Sequence, residues 1–230
     1  MVVEIIRVII MMEQKSPERT TTGIEGLDAA FNGGIPIPSL VLLLGDVGTG
    51  KSVICQQFVY IQAELGFRSV YFCIDHQPED IKENMRSLGW DVKRYESSGV
   101  LRFIDMFSSE DYTFEGLKEV VEREIRSCER FVFDSISSVA FVHGERRAYE
   151  LLQKMKKTAR ANSAVGIINA VRGMHSRSFE VAIQQVCCNV ISLRMKKDGR
   201  YLKIVKTMKT GHTTEEFGIE IERRVGVNLI

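Results

Sequence analysis

Eight consecutive residues carry the strongest chemical signal in this chain: Gly45-Asp46-Val47-Gly48-Thr49-Gly50-Lys51-Ser52. Glycines at this density let successive backbone N–H groups turn toward one centre, where they can collect an anion. A helical pattern starts at Lys51, so the positive end of a helix points at the same place. Lys51 adds a full charge for the β- and γ-phosphates of a nucleotide, and the Ser52 hydroxyl offers a hard oxygen to Mg2+. The spacing is GxxxxGK[ST], a phosphate loop. Its four fixed positions arise by chance in roughly one chain of this length in a hundred. The alternative is a plain glycine turn before a helix. A second component should be an acid ending a neighbouring strand, and Phe131-Val132-Phe133-Asp134 supplies one. Asp134 is expected to hold the magnesium through a water, beside Ser52. On its own this pattern also reads as a strand-terminal Asp capping the next segment.

These residues need a scaffold of strands and helices in alternation. Ser39 to Leu44 is a continuous apolar run, suited to a strand covered on both faces. Lys51 to Leu65 places Ile54, Phe58, Ile61 and Leu65 on one helical face. Further strands are expected at Ser69 to Ile74, Val100 to Met106, Phe131 to Asp134 and Val165 to Val171. Helices are expected at Pro78 to Leu88, Phe114 to Cys128 and Arg146 to Arg160. The order implies parallel βαβ units with right-handed crossovers. Val190 to Lys196 and Tyr201 to Met208 flank a hairpin signal, Lys197-Asp198-Gly199-Arg200, and Phe217 to Ile221 with Val225 to Ile230 suggest another antiparallel pair. Cys187-Cys188 is placed on a helical segment, in or near the core. The fold class is therefore α/β: a mainly parallel twisted sheet flanked by helices and extended by antiparallel C-terminal hairpins.

Composition bounds the rest. Of 230 residues, 44% are hydrophobic and 27% charged, the mix of an ordinary globular protein. Lys+Arg 31 against Asp+Glu 30 gives a net charge of +1, which excludes a strongly basic nucleic-acid coat and leaves a local basic patch open. Five Cys without a CxxC spacing argue against a disulfide framework or zinc site, and for a reducing cytoplasmic setting. No run reaches the roughly 18 apolar residues that span a bilayer, so membrane insertion is not expected. Residues 1–20 read as an N-terminal strand or arm and a linker. The apolar stretch could be an edge strand of the same domain or an arm on a neighbouring subunit, or translation could begin at Met11 or Met12. Residues 21–230 read as a single domain.

Around the loop, Thr22-Gly23-Ile24-Glu25-Gly26-Leu27-Asp28 and Gly33-Gly34-Ile35-Pro36 precede it, and Gln57-Phe58-Val59-Tyr60, Leu88-Gly89-Trp90-Asp91, Phe133-Asp134-Ser135, Lys206 and Gly211-His212-Thr213 come after it. Together they resemble the KaiC-like ATPases of the RecA superfamily, from Thr21 to the C-terminus. The archaellum ATPase FlaH is also similar. The resemblance implies a RecA-like core that binds ATP or ADP with Mg2+ at a subunit boundary, in a homo-oligomeric ring or filament, with a protein partner possible. It also implies a carboxylate near the end of the second strand that polarises the attacking water, and basic residues donated by the next subunit.

Matched residue by residue, the resemblance assigns catalysis to Lys51 and Asp75, trans contacts to Lys206 and Lys209, and metal binding to Ser52 and Asp134. Asp75 stands where the family usually has glutamate. One methylene fewer sets the carboxylate back from the water, so slow hydrolysis is expected. Ala170 cannot report on a γ-phosphate; Asn169 could, or could bond a loop. Met208 occupies the place of an expected arginine, and Lys209 substitutes only if the strand bulges. Three readings are open: a slow ATPase, a nucleotide-dependent switch or scaffold that hardly turns over, and a recombinase-like DNA-binding paralogue. For the last, Arg172 to Arg177 resembles a DNA-binding loop by position. The net charge and the lack of an aromatic cluster do not support strong nucleic-acid binding.

Overall fold

The computed structural model describes residues 18–106, 113–208 and 211–230. The apolar N-terminal stretch, its expected strand or arm, and Lys209 lie outside the described residues. The chain enters through β1 (Arg19–Thr20), α1 (Glu25–Ala30) and β2 (Ile35–Pro36), with β1 antiparallel to β2. Strand β1 thus falls within the segment expected to be arm and linker. Asp28 explains the Thr-Gly-rich entry: its carboxylate accepts from the Thr21 hydroxyl and from the Thr22 N–H at 2.6 Å, closing the turn before α1. The Thr21 to Asp28 motif thus shapes the chain's entry.

The core then alternates: β3 (Ser39–Gly45), α2 (Lys51–Glu64), β4 (Ser69–Cys73), α3 (Pro78–Ser87), α4 (Lys93–Ser97), β5 (Leu101–Asp105), α5 (Phe114–Ser127), β6 (Arg130–Asp134), α6 (Ile136–His143), α7 (Glu145–Ala161), β7 (Val165–Val171) and α8 (Arg177–Val186). It closes with β8 (Asn189–Lys196), β9 (Gly199–Lys206), β10 (Glu216–Glu222) and β11 (Gly226–Leu229). One nine-stranded sheet runs in the order β11-β10-β9-β8-β3-β7-β6-β4-β5. From β8 to β5 every pairing is parallel; from β8 to β11 every pairing is antiparallel. This is the expected mainly parallel sheet with hairpin extensions.

Strand β3 lies near the centre and is buried throughout. Its alternate residues serve two cores. Leu40, Leu42 and Leu44 pack with residues of α5, α6, α7 and α8, while Val41 and Leu43 pack with α1 and α2. A strand covered on both faces needs no polar alternation, which is why its sequence is continuously apolar. Gln57 ties the first and last segments to α2: its Nε2 donates to the Gly23 carbonyl at 2.7 Å and its Oε1 accepts from the Val227 N–H at 2.7 Å. Buried Arg130 anchors β1 through the Thr20 hydroxyl and the Gln62 amide oxygen.

Helices α1, α4 and α6 were not among the expected elements, and α8, expected only as a helical segment holding Cys187 and Cys188, ends before them. Those cysteines therefore lie just past the helix, Cys187 in an extended conformation and buried, Cys188 half-buried. The β8–β9 turn is Lys197-Asp198, with Lys196 paired to Gly199. A register shift between Val190 and Ile191 leaves Val205 as the extra residue on β9, a bulge next to Lys206.

Candidate functional site

The loop Gly45 to Ser52 sits at the C-terminal end of β3, between β7 and β8. Gly48 and Gly50 have φ of 79° and 90°, conformations that favour glycine. A Cβ on Gly50 would lie 2.8 Å from Cδ1 of Ile221 on β10, a side-chain end that can shift, so the positive φ is the stricter demand for glycine. The Thr49 hydroxyl donates to the Asp46 carbonyl at 2.8 Å and braces the curl. Lys51 Nζ donates to the carbonyls of Gly45 at 3.0 Å and Asp46 at 2.7 Å, so its ammonium lies across the hollow of the loop. Burial pulls the Lys51 pKa down, and the Asp134 carboxylate counteracts it.

Asp134 ends β6 beside the loop and is buried. Tyr71, from β4, donates its hydroxyl to Asp134 Oδ2 at 2.6 Å. Asn169, from β7, donates its amide to Asp134 Oδ1 and lies 3.4 Å from the Ser52 hydroxyl. Three strands and the first turn of α2 therefore meet at one carboxylate. Burial raises the Asp134 pKa, against polar contacts with Tyr71, Ser52 and Asn169 that favour the charged form. The same environment pushes the Tyr71 hydroxyl well above its ordinary pKa, so it stays a donor. Asp75 follows β4. Its Oδ2 accepts from the Ser135 hydroxyl at 2.8 Å, and its Oδ1 is shielded from solvent with no hydrogen-bond partner among the described residues. Lys51, Ser52, Asp75, Asp134 and Asn169 all line one cleft of about 450 Å3.

Its far side is formed by the hairpins, with Arg200 and Ile221. Arg200 Nε donates to the Gly48 carbonyl at 3.0 Å. Asp46 fastens the loop to β8 by accepting from the Met195 N–H at 3.0 Å. Arg172 packs behind it, donating to the Leu44 carbonyl at 3.2 Å and the Ser192 hydroxyl at 2.8 Å. Sequence reasoning missed Tyr71, Ser135 and Arg200. Each comes from a different segment, and none has a spacing relative to the loop that marks it.

A strand, a phosphate-type loop and a helix N-terminus facing two acids invite comparison with known ATPases. The family model of the KaiC ATPase matches residues 20–230. The chain belongs to the KaiC ATPase family. The solved structure of a KaiC-like protein from the archaeon Pyrococcus horikoshii OT3 superposes with a TM-score of 0.82 at 27% identity, covering 93% of this chain and 99% of that one. A UPF0273 protein of Pyrococcus furiosus is 29% identical over 177 residues, 70% of this chain and 71% of its own. The circadian clock protein KaiC3 of Synechocystis is 24% identical over 96% of this chain and 47% of its own length. These similarities bear out the resemblance and the α/β fold class.

As a KaiC-family chain it carries the nucleotide-binding loop of an ATPase family. Lys206, matched to a trans contact, has its partners within its own chain. Lys206 Nζ donates to the carbonyls of Gln184, Gln185 and Cys187 at 2.9, 3.1 and 2.8 Å, satisfying the C-terminal end of α8. To reach a neighbouring subunit it must leave those carbonyls. The Arg172 to Arg177 loop is a turn into α8: Ser176 accepts from the Phe179 N–H, and Glu180 accepts from the Gly173 N–H. Arg172 itself is committed behind the phosphate loop. No described helix is long and apolar enough to cross a membrane.

Proposed function

We propose that this chain binds Mg·ATP in the cleft between the Gly45 to Ser52 loop and the ends of β4, β6 and β7, and hydrolyses it slowly. The observation that carries the reading is the convergence on one cleft of the Lys51 ammonium, the Ser52 hydroxyl and two carboxylates, one held by Tyr71 and Asn169 and the other by Ser135.

The donor set suits magnesium. Ser52 and Asp134 offer hard oxygens, and a magnesium ion takes few protein ligands beside phosphates and water. When bound, the ion would neutralise charge on the β- and γ-phosphates. The chain's own residues do the remaining work. The loop N–H groups and Lys51 hold the phosphate oxygens and stabilise charge that develops there. Tyr71 and Asn169 keep the Asp134 carboxylate fixed toward Ser52. Asp75 lines the cleft and is oriented through Oδ2 by Ser135, and its carboxylate accepts a proton from the attacking water. The water's oxygen attacks the γ-phosphorus in line, the bond to the β-γ bridging oxygen breaks, and ADP and phosphate leave. Assembly into a ring or filament with the nucleotide at a subunit boundary belongs to the same proposal and is supported by family membership.

Steady-state phosphate release from the wild-type chain and Asp75→Ala tests the chemistry. Loss of a general base typically costs about 100-fold or more. Equal rates would remove Asp75 from that role. A second reading, a switch that binds nucleotide and scarcely turns over, draws on the short reach of Asp75. It is favoured by a wild-type rate at the uncatalysed background with nucleotide binding intact.

A further inference from the structure

The phosphate cleft is not the sole hollow among the described residues. A cavity of about 490 Å3 opens between α7 and the C-terminal end of α8. It lies by the N-terminal end of β3, away from the nucleotide loop, which sits at the C-terminal end of that strand. A second hollow of about 250 Å3 adjoins it, reaching to Pro38, Leu40 and Met208. The two share Lys156 and Arg160, so they form one continuous groove.

Its lining is uneven in a way that suggests a ligand. Lys156, Lys157 and Arg160 project into it, and no carboxylate among the described residues pairs with any of them. Of the other cations on the same helix, Arg146 pairs with Glu150 at 3.2 Å and Lys154 with Glu122 at 2.8 Å, while Arg147 lies over the Phe114 ring. Lys156 and Arg160 are four residues apart, a spacing at which like charges repel on a helix. Arg160 stands in the last helical turn, where a cation suits the helix dipole; that account does not extend to Lys156 or Lys157. An aromatic ring, Tyr149, and two amides, Gln153 and Gln185, line the same hollow. Cations bind phosphate oxygens, a ring offers a flat apolar rest, and amides can pair with a heterocycle's edge. The volume is that of an ordinary small-molecule site.

We infer that this groove is a second, non-catalytic site for a nucleotide-sized phosphorylated organic ligand, with Lys156, Lys157 and Arg160 on its phosphates and Tyr149 against its organic body. The inference is independent of the proposed hydrolysis. Isothermal titration with ADP and, separately, inorganic pyrophosphate tests it, in the Lys51→Ala chain and in the same chain carrying Lys156→Gln and Arg160→Gln. Saturable ADP binding is expected in Lys51→Ala, about tenfold or more tighter than pyrophosphate, and lost with the two groove substitutions. Should Lys51→Ala fail to fold, the wild-type chain answers the same question: two ADP per chain, falling to one when Lys156 and Arg160 are replaced, with binding at the nucleotide loop retained. No second binding event, a second event indifferent to both groove substitutions, or equal affinity for ADP and pyrophosphate would overturn the assignment.

Discussion

If Asp75 is the base, as proposed, a single methylene decides the chemistry. Its carboxylate lines the cleft with Oδ2 held by Ser135, so on the proposed reading orientation is provided and reach is the deficit. Lengthening it should therefore help. Asp75→Glu is expected to raise kcat for phosphate release about tenfold, with KM little changed, because the gain is confined to the chemical step. A lower kcat in that variant would mean that reach is not the deficit. The rest of the site was unevenly legible. Lys51, Ser52 and Asp134 stand out because backbone geometry forces a fixed spacing on the loop and an apolar strand leads into the acid. The partners that hold Asp134, Tyr71 and Asn169, arrive from two other strands. Nothing in a linear spacing encodes that meeting. Asn169 was open between a phosphate contact and a structural bond; its hydrogen bonds to Asp134 and Ser52 make it a strut between those two side chains.

At the scale of elements, the buried strands were legible because two-sided burial makes them continuously apolar, and α3, α5 and α7 because they keep a polar face; α2, covered almost all round, was legible from its apolar spacing and the loop before it. Helix α6 was not. Ile136-Ser137-Ser138-Val139-Ala140-Phe141-Val142-His143 has no clean helical period, since Phe141 and Val142 face solvent while Ser137 is buried. Cys187 and Cys188 were misplaced onto a helix for a related reason: the apolar run of α8 continues past the point where the backbone straightens to enter β8. The central sheet also contains a lock that only the pairing exposes. Gly166 on β7 lies directly opposite Phe131 on β6, and a Cβ on Gly166 would lie 2.1 Å from Cζ at the tip of the Phe131 ring. The ring is fully buried and cannot swing aside. Gly166→Ala is expected to destabilise the fold by about 1–3 kcal/mol, measured by urea denaturation. An unchanged midpoint would show that the two strands can part locally without cost.

For the molecule as a whole, the cleft is walled on one side by the parallel core and on the other by the C-terminal hairpins. Asp46 and Arg200 join the two by bonding the loop to β8 and β9. Nucleotide binding should therefore be felt across the antiparallel half of the sheet. If ATP sits at a subunit boundary, as proposed, the mass in solution must depend on it. Light scattering on the wild-type chain is expected to give a larger particle with Mg·ATP than without nucleotide; the same mass in both conditions would count against a nucleotide-bridged assembly. Lys206 adds a condition. It serves α8 within its own chain, so a trans role requires the α8 end to rearrange as subunits join.

The central claim is that one turn of backbone and one ammonium gather a triphosphate. Calorimetric titration of Mg·ATP at the nucleotide loop, with the groove variants Lys156→Gln and Arg160→Gln as common background, tests it most directly when Lys51→Ala is added. Saturable binding is predicted in the background chain, and its loss in Lys51→Ala with the thermal unfolding midpoint little changed. Unaltered affinity in a folded Lys51→Ala chain would contradict the account.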